Sequence, residues 1–148
     1  MLYRPRPLND YRDLLGVEYA LQRLKFRLPP ERSRHLNVGR MLEHISESAK
    51  IGRAVLVGPY LLVYDLGSLW GSDSLFLIEE LVLRITPVNR SRLSEEPGPK
   101  IIVDALRILA RENNADAIVT GDIFSGIMGE VYTQAGFTKI GSQFLLNV

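Results

Sequence analysis

Glu79 and Glu80 stand side by side inside the apolar run Leu75–Ile85. Adjacent carboxylates can divide general acid–base work between them. In a strand, however, successive side chains face opposite ways, so at most one of the two can look into a cleft. The other is then a solvated or helix-facing carboxylate. His35 and His44, the only two histidines, are placed on one predicted helix but off a shared face, which argues against a two-histidine metal site. They are expected to be surface or helix-packing residues. Ser125 lies in Gly121-Asp122-Ile123-Phe124-Ser125-Gly126, which is not a nucleophile elbow. Asp122 or Ser125 is better suited to capping a helix. With no cysteine in the chain, a thiol nucleophile, a thiolate zinc site and a disulfide framework are all excluded. Walker and dinucleotide fingerprints are absent.

Composition narrows the class further. The sequence has 148 residues, 46% apolar and 24% charged, with a formal net charge of +1. That length suits a single domain over residues 1–148 with a real core. The near-neutral balance argues against a nucleic-acid binder. No apolar run reaches the ~18 residues of a membrane span, and no signal peptide is expected, so a cytoplasmic globular domain is the expectation. Charge is uneven, with ten Lys/Arg against six Asp/Glu in residues 1–50. Two readings stand: solvated helix faces, or a basic rim that receives an acidic partner or a phosphate-bearing ligand.

The elements that must position these residues follow from periodicity and punctuation. Pro5 and Pro7 keep the start extended. Asn9 and Asp10 can cap a first helix with Leu14, Val17, Leu21 and Leu24 on its apolar face, ended by Pro29-Pro30. A second helix is predicted over 31–49. Residues 54–57 and 60–64 read as strands of a hairpin turning at Gly58-Pro59. A loop with Trp70 precedes a long strand over 75–85, and residues 86–99 form an irregular connection. A third helix starts near Pro99 and stops before Asn113. Residues 117–120 read as a short buried strand, residues 125–135 as a fourth helix capped by Gly136, and residues 137–146 as a final strand.

That order, together with three local motifs, resembles the GNAT (Gcn5-related N-acetyltransferase) family. Tyr3-Arg4-Pro5-Arg6-Pro7-Leu8-Asn9-Asp10-Tyr11 looks like its first strand entering its first helix. Ile78-Glu79-Glu80-Leu81-Val82-Leu83-Arg84 looks like its central strand, and Val131-Tyr132-Thr133-Gln134-Ala135-Gly136-Phe137 like its Tyr-x-x-x-Gly-Phe signature. A fainter likeness is to acetyltransferase-like proteins carried by tailed phages. The resemblance implies an α/β GNAT-like fold, a mixed antiparallel and parallel sheet with helices on both faces. It also implies acetyl-CoA in a V-shaped opening beside the central strand. Pantetheine would pair with the backbone of Leu81, Val82, Leu83 and Arg84. Glu80 would serve as base for the acceptor amine and Tyr132 as acid for the leaving thiolate. The alternative for Tyr132 is ring packing in the core.

Two stretches depart from the family. Where its phosphate loop reads Arg/Gln-x-x-Gly-x-Gly/Ala, this chain has Glu95-Glu96-Pro97-Gly98-Pro99-Lys100, and only Gly98 matches. Two carboxylates repel a pyrophosphate, and each proline removes an amide donor. Arg90, Arg92 and Lys100 would have to reach the phosphates instead. After the fourth helix, where the family generally has two strands, either Gly141 divides a very short pair or one strand is missing. A missing strand leaves an edge that a second chain can complete, hence a possible homodimer. Two functions follow: N-acyl transfer from acyl-CoA to an amine-bearing acceptor, or an inactive GNAT-like module that works by binding or inhibiting a protein partner.

Overall fold

Proline and glycine mark the limits of most elements. A computed structural model describes residues 3–8, 11–69, 71–85, 98–121, 127–141 and 144–148. In chain order the elements are β1 (Arg6–Pro7), α1 (Tyr11–Arg27), α2 (Pro30–Ser33), α3 (Val38–Lys50), β2 (Ala54–Val57), β3 (Tyr60–Gly67), β4 (Phe76–Arg84), α4 (Lys100–Glu112), β5 (Ala117–Val119) and α5 (Ile127–Gln134). They build one five-stranded sheet in the order β1-β2-β3-β4-β5.

β2, β3 and β4 form an antiparallel meander that begins with the predicted hairpin. Its first turn places Gly58 at φ 56°, a left-handed backbone that glycine adopts without a steric penalty. β5 runs parallel to β4, pairing from Phe76 with Ala117 to Ile78 with Val119. The sheet is therefore mixed, as expected. Alternation along β2 divides the core between its two faces. Val55 and Val57 pack with Leu62, Leu77, α4 (Ile102, Leu106, Leu109) and α5 (Met128, Tyr132). Ala54 and Leu56 pack with Leu61, Leu81, Leu83, α1 (Val17, Leu21, Leu24) and Ile45 of α3. Helices thus cover both faces.

Three expectations are corrected. The helix predicted over 31–49 is two elements, because Asn37 caps α3: its side-chain oxygen accepts the Arg40 N–H at 3.0 Å. His35 consequently sits in the turn before that cap, and only His44 is on α3. The strand over 117–120 is a half-exposed edge and not a buried strand, since among the described residues only β4 pairs with it. The final strand over 137–146 does not form in its described residues. Strand-like composition there meets no paired edge, and the chain end is held elsewhere. The Asn147 side chain contacts His35 Nε2 and donates to the Glu31 carbonyl at 3.3 Å. Asn9, Asp10, Trp70, Asp122 and Ser125 lie outside the described residues.

Candidate active site

The centre of β4, where its carboxylates sit, is irregular. Val63 of β3 faces Leu81 and Tyr64 faces Glu79, so Glu80 is an extra residue without a partner on β3. Such a β-bulge bends the strand and re-aims side chains. Strict alternation fails across it: Leu77 packs on the α4 side, whereas Leu81 and Leu83 pack on the α1–α3 side. Glu79 and Glu80 part company as the expected alternation requires, and the bulge breaks that alternation only between Glu80 and Leu81. Glu80 reaches α3, where its Oε2 lies 3.0 Å from His44 Nε2. Both side chains keep solvent contact, at 34% and 62% exposure. Glu79 turns the other way and accepts the Gly121 N–H at 3.1 Å, just past the last β4–β5 pair.

That last contact marks where the two parallel strands stop pairing. From Leu81 to Arg84, β4 has β3 on one side and, among the described residues, no strand on the other. The side chains there are already engaged. Leu81 and Leu83 are buried, and Arg84 lies over the Tyr60 ring and donates to its hydroxyl at 3.5 Å. What this edge offers a ligand is backbone N–H and C=O, suited to an extended amide-bearing chain.

The start of α4 is a poorer phosphate site. Pro99 caps the helix with no side-chain bond. The N–H groups of Ile101 and Ile102 donate to the carbonyls of Gly98 and Pro99, at 3.4 and 3.0 Å. A β-carbon added at Gly98 would meet nothing within 4 Å, and its backbone is not left-handed, so no close approach demands glycine there. Lys100 opens α4 and is exposed. Arg90, Arg92, Glu95, Glu96 and Pro97 lie outside the described residues.

Tyr132 lies on α5, 4% exposed, its ring centroid 5.2 Å from that of Phe137. The helix stops as predicted, with Gly136 at φ 98°. Tyr132 also borders a cleft of about 1780 Å³ that runs along the outer edge of β5, between α5 and the chain end. Neither Glu79 nor Glu80 borders this cleft, but Gly121 does, and it is the donor to Glu79. Among the described residues no three His, Asp or Glu side chains cluster to hold a metal.

Two participants escape a reading of the sequence. His44 reads there as a surface or helix-packing histidine, because its partner is 36 positions away. Asp116 draws no notice at all, yet it clasps the start of β4. Its Oδ2 accepts the Leu75 N–H at 2.8 Å, while its own N–H donates to the Leu75 carbonyl at 2.7 Å.

This architecture recurs in known structures along nearly the whole chain. An acetyltransferase from Trypanosoma brucei is similar at 18% identity and a TM-score of 0.57, over 99% of both chains. A GNAT family acetyltransferase from Staphylococcus aureus matches 99% of this chain with 98% of its own, at 10% identity and a TM-score of 0.58. A predicted acetyltransferase with acetyl-CoA, from Clostridium acetobutylicum, matches 98% of this chain with 94% of its own, at 14% identity and a TM-score of 0.60. The chain has the GNAT fold. No family model and no curated protein matches the sequence. The short parallel β5, whose pairing ends at Ile78–Val119, is what leaves the β4 backbone open beyond it among the described residues. Among the described residues no helix is long and apolar enough to cross a membrane.

Proposed function

We propose that the protein transfers an acyl group from acyl-CoA to an amine. The observation that carries this reading is the backbone edge of β4 left open beyond the Ile78–Val119 pair, in a GNAT fold. An extended pantetheine arm fits such an edge, so Leu81, Val82, Leu83 and Arg84 hold it through their main chain. Phosphate binding rests on Lys100 together with Arg90 and Arg92, because the amides of Ile101 and Ile102 are already used.

When bound, acetyl-CoA supplies a thioester-activated acetyl group. Glu80 and His44 act as one proton-accepting unit for the attacking amine. The imidazole can take the proton while the carboxylate, 3.0 Å away, holds the ring in place. The amine nitrogen bonds to the acyl carbon, the carbon–sulfur bond breaks, and the amine's proton passes to this pair. Tyr132 would give its phenolic proton to the departing thiolate, and the proton taken by the pair would return through solvent to restore the phenol.

Calorimetric titration with acetyl-CoA, followed by thiol release against a panel of primary amines, tests the proposal. Having no cysteine, the protein contributes no thiol signal of its own. Saturable heat and amine-dependent thiol release are expected. No heat at millimolar acetyl-CoA overturns the reading. A second reading is an inactive module acting on a protein partner, favoured by the weak phosphate site and by the separation of Glu80 from the cleft that Tyr132 borders.

A further inference from the structure

We infer that the outward face of α1 docks an acidic amphipathic helix of another protein. A helix that packs on a sheet needs one apolar face, and α1 has it in Val17, Ala20, Leu21 and Leu24, all buried. It also carries a second. Leu15, Tyr19 and Phe26 fall within an arc of about 40° on the side opposite those core residues. They stand in water: Leu15 is 48% exposed, Tyr19 58% and Phe26 92%. Single exposed apolar residues are ordinary, but three aligned over roughly 16 Å of helix form a ridge with the spacing of docking anchors.

Charge on either side of the ridge defines what covers it. One flank holds Arg12, Arg23 and Arg27, and the other holds Gln22, Glu18 and Lys25. The Arg23 guanidinium lies over the Tyr19 ring, 4.9 Å from its centroid, which fixes a cation at the edge of the apolar stripe. Its Nε is shielded from water and has no hydrogen-bond partner among the described residues. Neither Arg23 nor Arg27 is in an ion pair among the described residues, and Asp13 of the same helix is taken by Arg6 at 3.2 Å. A partner flank that bears carboxylates therefore meets cations not yet committed.

A second copy of the chain does not supply such a flank. Antiparallel pairing of two α1 helices sets the arginine flanks against each other. Parallel pairing sets them against Gln22, Glu18 and Lys25, which carry no net charge together. A lipid surface fits no better. Interfacial helices bury a broad apolar face below a cation-rich polar one, whereas this stripe is narrow and bordered by Gln22 and Glu18. A foreign helix laid along α1 satisfies both features, with apolar residues against Leu15, Tyr19 and Phe26 and carboxylates against Arg23 and Arg27. None of these residues belongs to the β4 edge, so the docking is independent of acyl transfer.

Fluorescence anisotropy with a labelled probe peptide and the full chain tests the docking. The probe is a helical peptide with leucine at alternate third and fourth positions and glutamate on its flanks; its counterpart carries lysine in place of glutamate. The glutamate probe should bind saturably, and the lysine probe at least about tenfold more weakly. Tyr19→Ser with Phe26→Ser should abolish binding with an unchanged far-ultraviolet spectrum, because both side chains project into water. Arg23→Glu with Arg27→Glu should weaken the glutamate probe by about tenfold or more and strengthen the lysine probe. No saturation by the glutamate probe, equal binding of the two probes, binding that survives the serines, or binding indifferent to the charge reversal would each overturn the inference. So would a wild-type chain that sediments with phosphatidylglycerol vesicles, or that forms a dimer, when the same serines abolish it, since another occupant then holds this face. Acetyl-CoA enters none of these measurements, so their outcome is separate from that of the proposed reaction.

Discussion

Tyr132 has two roles to separate, packing and proton donation, and a pair of substitutions does so. Its ring is 4% exposed, sits among Leu106, Leu109 and Met128 in the α4-side core, and lies against Phe137. Removing a buried aromatic ring to alanine costs about 3–5 kcal/mol in lost transfer energy and cavity, and the aromatic pair with Phe137 accounts for roughly 0.5–1.5 of that. At about 2–4 °C per kcal/mol for a chain of this size, Tyr132→Ala should lower Tm by roughly 6–20 °C. Tyr132→Phe keeps the ring and removes only the oxygen, so Tm should stay within about 3 °C. If the phenol is the acid for the leaving thiolate, the same conservative change should lower kcat by about 10²–10⁴-fold, the usual span of general acid catalysis. Thermal unfolding followed by circular dichroism reads the first effect, and thiol release from acetyl-CoA reads the second. Tyr132→Ala melting within 3 °C of wild type would refute the packing argument. Undiminished turnover in Tyr132→Phe would refute the acid.

Other measurements address the remaining groups. Replacing His44 and Glu80 singly and together should give a coupling of at most about 1 kcal/mol in stability, since both are solvent-accessible, while Glu80→Gln should cut turnover at least tenfold; turnover within twofold removes the pair from the reaction. Acetyl-CoA affinity should fall steeply between low and physiological ionic strength and drop several-fold in Lys100→Ala, because an exposed cation is screened by salt in a way a fixed amide nest is not; a salt-insensitive titration places the phosphates elsewhere. Asn37→Ala should destabilise by about 0.5–2 kcal/mol through loss of the α3 cap, read as a shifted denaturation midpoint; an unchanged midpoint means that the Asn37–Arg40 bond contributes nothing.

What the sequence decides for this protein is local. Two apolar helix faces, two turns that need a left-handed glycine (Gly58 and Gly136), and a meander of strands spaced by short breaks are all written in neighbouring residues. The resemblance to GNAT proteins rests on such local motifs, and the fold agrees with it. Contacts across long separations are decided by tertiary structure. The bulge at Glu80 exists only as a register slip against β3, so no inspection of β4 alone reveals it. His44 becomes a partner of Glu80, and Asp116 a clasp for Leu75, only when the sheet brings distant positions together. The segment over 137–146 shows the limit most plainly. Its composition favours a strand, but a strand is a pair of edges, and among the described residues none of this segment pairs with β5, while Asn147 just beyond it is held at α2.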